Sequence, residues 1–126
     1  MELIVRRKDR IKVKVYAWEE EGKVNASNLK VEVPDNIAEP KEIMFEFRKP
    51  GYADSRDIMG SAQVNNEGDI EDIPGFQDAA IRILLEDWDI TDDDGEKLEC
   101  TPANVNGLAP PVARAAVAGL LAVVSL

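Results

Sequence analysis

Histidine is absent from this chain, and cysteine occurs once, as Cys100. Without histidine, the commonest general base and the commonest transition-metal ligand are both missing. A lone cysteine excludes an internal disulfide and has no imidazole to activate it as a nucleophile. Aromatic residues are scarce, at 6%. Bases are outnumbered, 15 against 25 acids, for a formal net charge of −10 that barely changes near neutral pH. That balance excludes general nucleic-acid binding through a basic surface, because phosphates must be met by positive charge. No apolar run approaches the roughly 20 residues that span a bilayer. Pro110, Pro111 and Arg114 interrupt the most apolar stretch. Residues 1–7 lack the apolar core and cleavage site of a signal peptide. There is no Gly-rich phosphate loop, dinucleotide fingerprint or nucleophile elbow.

What is present is globular. Hydrophobic residues make up 44% of 126 positions and charged ones 32%, enough to bury the core of one domain. Charge lies in blocks. Residues 1–16 carry six bases and two acids, whereas residues 86–99 carry eight acids and one base. From Thr101 onward, Arg114 is the only charged side chain. Asymmetry of this kind can organise contacts within a fold or between subunits.

The first half reads as strands. Ile11, Val13, Val15 and Ala17 alternate with Lys12, Lys14, Tyr16 and Trp18, and a period of two places them on opposite faces. Leu3–Val5 before Lys8-Asp9 suggests a preceding strand and hairpin. Residues 29–33 alternate as well and stop at Pro34, while Ile43, Phe45 and Phe47 form a further inward face that ends at Pro50-Gly51. The second half reads as helices. A weak one covers residues 54–63, and residues 64–73 form a loop. A strong stripe after Pro74 runs from Phe76 through Ala80, Ile83 and Leu84 to Trp88. Thr101-Pro102 caps a short helix that Gly107 ends, and Pro110-Pro111 open a last, apolar helix over residues 111–126. The fold class is therefore α+β in a single domain, residues 1–126. Residues 1–50 supply a small, mainly antiparallel sheet, and residues 51–126 supply three or four helices.

Candidate chemistry is thin. With Gly95 at the sixth position of a calcium loop, Asp92 and Asp94 fall on positions three and five. Position one is then Ile90 and position twelve Thr101, so two required ligands fail. The acidic turn at residues 92–95 reads as solvated, and the paired carboxylates beside it lack the desolvated pocket that catalysis needs. Tyr16 and Trp18 share a face with lysines and could stack on single-stranded nucleic acid. Cover by a helix or a second subunit accounts for them better. No catalytic residue, cofactor or metal ligand is assigned. The last helix is apolar around its circumference, which calls for burial on all sides. Val112, Ala116, Leu120, Leu121, Val123 and Val124 are the candidate protein-interaction residues.

Two segments together resemble a family. One is Phe45-Glu46-Phe47-Arg48-Lys49-Pro50 followed by Asp54. The other is Leu84-Leu85-Glu86-Asp87-Trp88, the turn Asp92-Asp93-Asp94-Gly95 with Leu98 after it, and Thr101-Pro102-Ala103-Asn104-Val105. Over about residues 43–107 this order resembles the small tail assembly chaperones of tailed bacteriophages. The resemblance implies a non-enzymatic morphogenesis protein that binds the tape-measure protein and keeps its apolar helices soluble while the tail is built. The expected partners are the tape-measure protein or other phage structural proteins, and further copies of the chain; neither nucleic acid nor membrane is among them. The expected location is the host cytoplasm during assembly. Residues 1–35 fall outside the resemblance, and the C-terminus is more apolar than the family's. A structural component of tail, neck or capsid, retained in the virion, is the alternative.

Overall fold

The computed structural model describes residues 1–126. Three strands arise in the first half: β1 (Arg10–Glu20), β2 (Lys23–Ser27) and β3 (Lys41–Arg48). The helices are α1 (Tyr52–Ser61), α2 (Ile73–Leu84), α3 (Pro102–Asn106) and α4 (Pro110–Leu121). A fourth strand, β4 (Leu85–Trp88), follows α2 directly. The sheet is antiparallel throughout, in the order β2-β1-β3-β4. This is the α+β fold expected from the pattern, with one strand supplied by the second half of the chain.

Alternation decides which face is buried. Val13 and Val15 of β1, Ile43, Phe45 and Phe47 of β3 and Trp88 of β4 point into a single core. Helices cover only that face, through Ile58 of α1, Phe76, Ala79, Ala80 and Leu84 of α2, and Val112, Ala115, Ala116, Val117 and Leu120 of α4. The opposite face carries Lys12, Lys14, Glu42 and Glu46 and has no helix over it. Tyr16 and Trp18 lie there half-buried, so no helix covers their rings; Trp18 Nε1 donates to Glu20 Oε1 at 2.7 Å.

Four sequence expectations are corrected. Residues 3–5 form no strand, and Leu3 and Ile4 stand exposed. Residues 29–33 form a 3-10 turn (Lys30–Glu32) instead of a strand. Ser27 causes this: its hydroxyl accepts from the Leu29 amide at 3.0 Å and donates to Glu32 Oε2 at 2.8 Å, a local bond that competes with ladder pairing. The strand lies earlier, as β2, reached from β1 by the two-residue turn Glu21-Gly22. Both turn residues have positive φ (53° and 78°), as in the turns that match strand twist. The stripe helix stops at Leu84, and Trp88 is in a strand, paired with Phe45. Finally, α4 ends at Leu121 instead of running to residue 126. Its last buried residue is Leu120, and the β-branched Val123 and Val124 beyond are weak helix formers with less core to pack against.

Local chemistry sets the other boundaries. Asp72 caps α2 by accepting from the Gly75 amide at 2.9 Å, with Pro74 in the first turn. Thr101 caps α3, accepting from the Asn104 amide at 3.2 Å. Small residues let α4 lie close on the sheet. A Cβ on Gly119 would collide with the Val13 side chain and crowd Asn28.

Arg48 joins four elements from the end of β3. Its guanidinium donates to both carboxylate oxygens of Asp54 in α1, at 2.6 and 2.9 Å, and to the Ile83 carbonyl near the end of α2 at 3.1 Å. Glu86 of β4 lies 3.6 Å away. Asp54 also accepts from the Gly51 amide at 3.1 Å, which anchors the start of α1. Burial pushes the Asp54 carboxyl up, but the Arg48 and Gly51 hydrogen bonds and the nearby positive charge outweigh it, so its pKa is lowered.

Two predictions follow from this packing. Alanine at an exposed helical glycine normally gains about 1 kcal/mol of helix propensity. At Gly119 the collision with the buried, β-branched Val13 should reverse the sign. Gly119→Ala is expected to destabilise by about 1–3 kcal/mol, read as a lower midpoint in urea unfolding. Asp54→Asn should cost about 3 kcal/mol at neutral pH by leaving a largely buried guanidinium underpaired. Because the folded pKa of Asp54 is depressed, its contribution is present above the ordinary carboxylate value of about 3.9. It is lost as pH falls through the folded value. The stability gap between parent and variant should therefore be constant near pH 7 and close at low pH. An equal gap at both would refute the assignment.

Candidate protein-interaction surface

After β4 the chain makes a hairpin that carries most of the acidic block. Its arms meet at the bridge Thr91↔Lys97, and Leu98 donates its amide to the Ile90 carbonyl at 2.8 Å. The tip is a tight turn with Gly95 at φ 82°. Asp92 Oδ1 accepts from the amides of Asp94 and Glu96 at 2.9 and 3.0 Å. This carboxylate therefore faces its own turn. No group of three or more Cys, Asp or Glu side chains is placed to hold a metal ion.

The hairpin is fastened at its base. Trp88 Nε1 donates to the Leu98 carbonyl at 2.7 Å, while the Trp88 ring stands edge-on to Phe45 at 6.2 Å. Lys97 Nζ donates to both oxygens of Asp87, at 2.9 and 3.1 Å. That hydrogen bond is the main reason the Asp87 pKa is lowered and the Lys97 pKa raised. Asn104 Nδ2 donates to the Glu99 carbonyl at 2.8 Å, which ties α3 to the hairpin's exit.

Two shallow grooves flank α3. One, of about 250 Å³, lies against α2 and is lined by Asp78, Ile81, Arg82, Leu85, Cys100 and Val105, among others. Burial, with the Asp87 charge beside it, pushes the Cys100 thiol up, so it remains protonated at neutral pH. The other groove, of about 340 Å³, is more apolar: Ile43, Trp88, Ile90, Leu98, Leu108 and Val112 form most of its wall.

The six expected interaction residues divide. Val112, Ala116 and Leu120 are buried in the chain's own core. The last helix thus finds most of its cover within the fold, because α4 lies across β1 and β2 and also meets α2. Val124 is half-buried, while Leu121 and Val123 are open to solvent at 40% and 66% exposure. With Ala118 and Ala122 they form an exposed, uncharged apolar ridge at the end of α4. Sequence periodicity could not divide the six, since the helix is apolar on every side. The wall of the larger groove was also missed, because its residues come from four separate segments. No helix is long and apolar enough to cross a membrane.

No family model, curated protein or solved structure matches the chain.

The division of α4 can be checked with two single substitutions. Leu120→Asp places an unpaired charge in the core and should give unfolded or insoluble protein. Leu121→Asp, on the exposed ridge, should fold with a stability change within about 0.5 kcal/mol. Circular dichroism melts of the pair decide the matter. Equal melts would mean that α4 is rotated from the orientation described.

Proposed function

We propose that the chain is a non-enzymatic bacteriophage morphogenesis protein, a tail assembly chaperone that binds the tape-measure protein during tail assembly. The observation that carries this reading is that the residues of the family resemblance, separate in sequence, are bonded partners in the fold. Phe45 meets Trp88, Arg48 pairs with Asp54, and Trp88 holds Leu98. Thr101 caps the helix that holds Asn104, and Asn104 in turn fastens the hairpin's exit. The segments that resemble the family thus act as one structural unit, as expected of a shared fold determinant. The surface we assign to a client is the apolar ridge of Leu121 and Val123, which is one of several exposed apolar places on the chain. Exposed apolar ridges of this kind are places where partners bind.

Coexpression with the tape-measure protein of the same phage tests the proposal. That protein should be soluble with the chain and insoluble without it, and Leu121→Asp with Val123→Asp should abolish the rescue. Mass spectrometry of purified particles should find no copy of the chain. A fixed copy number in mature virions would replace the chaperone reading with that of a structural component.

A further inference from the structure

One side of the longest strand is only half occupied. β1 has 11 residues and β2 has five. β3 pairs with β1 from Arg10 to Ala17, but β2 pairs with it only from Tyr16 to Glu20. After Ser27 the chain leaves the sheet through the Lys30–Glu32 turn. Along Arg10–Val15 the β2 side of β1 therefore has no neighbouring strand. In an antiparallel ladder a residue turns its N–H and its C=O to the same side, and that side alternates along the strand. Asp89 donates its amide to the Met44 carbonyl at 3.2 Å, so Met44 turns toward β4. Ile43, Phe45 and Phe47 then turn toward β1, where they meet Val15, Val13 and Ile11. Arg10, Lys12 and Lys14 turn the other way, to the vacant side. No turn or loop supplies their amides and carbonyls with a partner.

The side chains along this vacancy are basic on one face and apolar on the other. Arg10, Lys12 and Lys14 stand exposed on the open face of the sheet. Arg10 and Lys14 lie 3.9 and 3.7 Å from Glu46 and Glu42, longer than charge-assisted hydrogen bonds. Lys12 forms no ion pair. On the inner face Ile11 is half-buried and Val13 is buried. Gly119 abuts both Val13 and Asn28, so the end of α4 lies beneath this stretch. The other free edges of the sheet are bordered by charges of both signs. On β2, Lys23 lies opposite Glu20, and on β4, only four residues long, Asp87 is held by Lys97.

We infer that the vacant side of β1, from Arg10 to Lys14, takes up an extended acidic segment of a partner protein as an added antiparallel strand. Main-chain bonds to Arg10, Lys12 and Lys14 hold it in place. Directly opposed residues of such a pair share a face. The segment therefore carries acids at alternate positions, opposite the three bases, with apolar residues between them, opposite Ile11 and Val13. Five residues fill the site, about 17 Å at about 3.4 Å each. A second copy of β1 fits poorly. Paired about Lys12, it would set Lys12 against its own copy and Arg10 against Lys14, and like charges directly opposed are unfavourable. The chain's own residues 2–5 fit poorly as well. The turn in which the Asp9 amide donates to the Arg6 carbonyl would set Leu3 opposite Lys12 and Glu2 opposite Val13. That register puts the apolar residue on the charged face and the acid on the apolar one, and Leu3 stands exposed at 84%. A nucleic-acid phosphate satisfies bases and amides but leaves the three carbonyls facing oxygen. The site is separate from the α4 ridge and does not rest on the client assigned to that ridge.

A five-residue peptide that alternates glutamate and valine, blocked at both ends and labelled with fluorescein, tests this on the full chain. Saturable binding, read by fluorescence anisotropy, is expected at 0.1 M salt. It should weaken toward 1 M, as the screening length falls from about 10 Å to about 3 Å. Methylating the peptide's central amide nitrogen removes one donor without changing charge and should weaken binding about tenfold. Lys12→Gln with Lys14→Gln should also weaken it about tenfold, with no change in the unfolding midpoint. By NMR, the amides of Lys12 and Lys14 should exchange rapidly in the free chain and become protected in the complex. No binding, a methylated peptide that binds as well as the parent, or amides left unprotected at saturation would each overturn the inference. Protection already present in the free chain would overturn it too. If concentration-dependent, it would mean that a second copy fills the edge, and if not, that the chain's own residues do. Displacement of the peptide by a tighter-binding single-stranded oligonucleotide of equal charge would assign the edge to nucleic acid instead.

Discussion

The fold depends on one charge pair. Arg48 closes the end of β3, and its guanidinium is shared among the start of α1, the last turn of α2 and the first residues of β4. Two parallel N–H···O bonds to Asp54 fix orientation as well as distance. Both side chains are about five-sixths buried, at 17% and 16% exposure, so solvent does little to screen the attraction. The same burial raises the cost of desolvation, and a pair of this kind is justified by geometry more than by net energy. What it specifies is the angle at which the helical half of the chain meets the sheet. Without it, α1 and α2 could slide along the apolar surface of Phe45 and Phe47 with little penalty, since apolar contact is non-directional.

The rest of the core fits around that anchor by size. α4 presents Ala115, Ala116 and Gly119 toward the fold, and these small residues let its backbone approach closely. Larger residues fill the space over β3 and β4, where Phe45, Phe47, Phe76 and Trp88 gather. No buried side-chain nitrogen or oxygen is left without a hydrogen-bond partner. The protein's polar groups are thus committed to structure inside and to charge outside. What remains uncovered, besides charge, is apolar surface at a few edges.

Legibility in the sequence followed the range of the interactions involved. Alternation at residues 11–17 and 43–47, and the Pro and Thr signals at Pro74, Thr101-Pro102 and Pro110, are local, and each marked a real strand face or helix start. The turn Glu21-Gly22 was invisible because glutamate rarely takes a left-handed conformation, so β2 was placed too late. The apolar positions Leu84, Leu85 and Trp88 have helical spacing, and the strand accommodates them through an irregularity in its pairing beside Phe47. Only the need of β3 for a hydrogen-bonding neighbour decides in favour of a strand, and that need is a property of the sheet. The candidate surface was legible only in part. The sequence marks α4 as apolar all round, but which half is covered depends on β1 and β2 lying beneath it. The pairing of Arg48 with Asp54 could be suspected from their place in one motif, whereas its extension to Ile83 spans 35 residues of chain.

The junction of α2 and β4 has no linker: Leu84 ends the helix and Leu85 begins the strand. A helix and a strand that share a peptide bond have no slack between them. β4 can reach its register with β3 only when α2 is already seated, and α2 cannot lift away without drawing Trp88 off Phe45. The edge of the sheet and the helix over it therefore form one cooperative unit in folding and in local opening. The step that completes the sheet joins residues more than 40 positions apart, Phe45 with Trp88. Closure of such a long loop comes late, after the local β1–β2 hairpin has formed. The acidic hairpin hangs from β4, so its position over the larger groove is set by that last event. The apolar groove that the hairpin helps to wall exists only once the whole chain has folded.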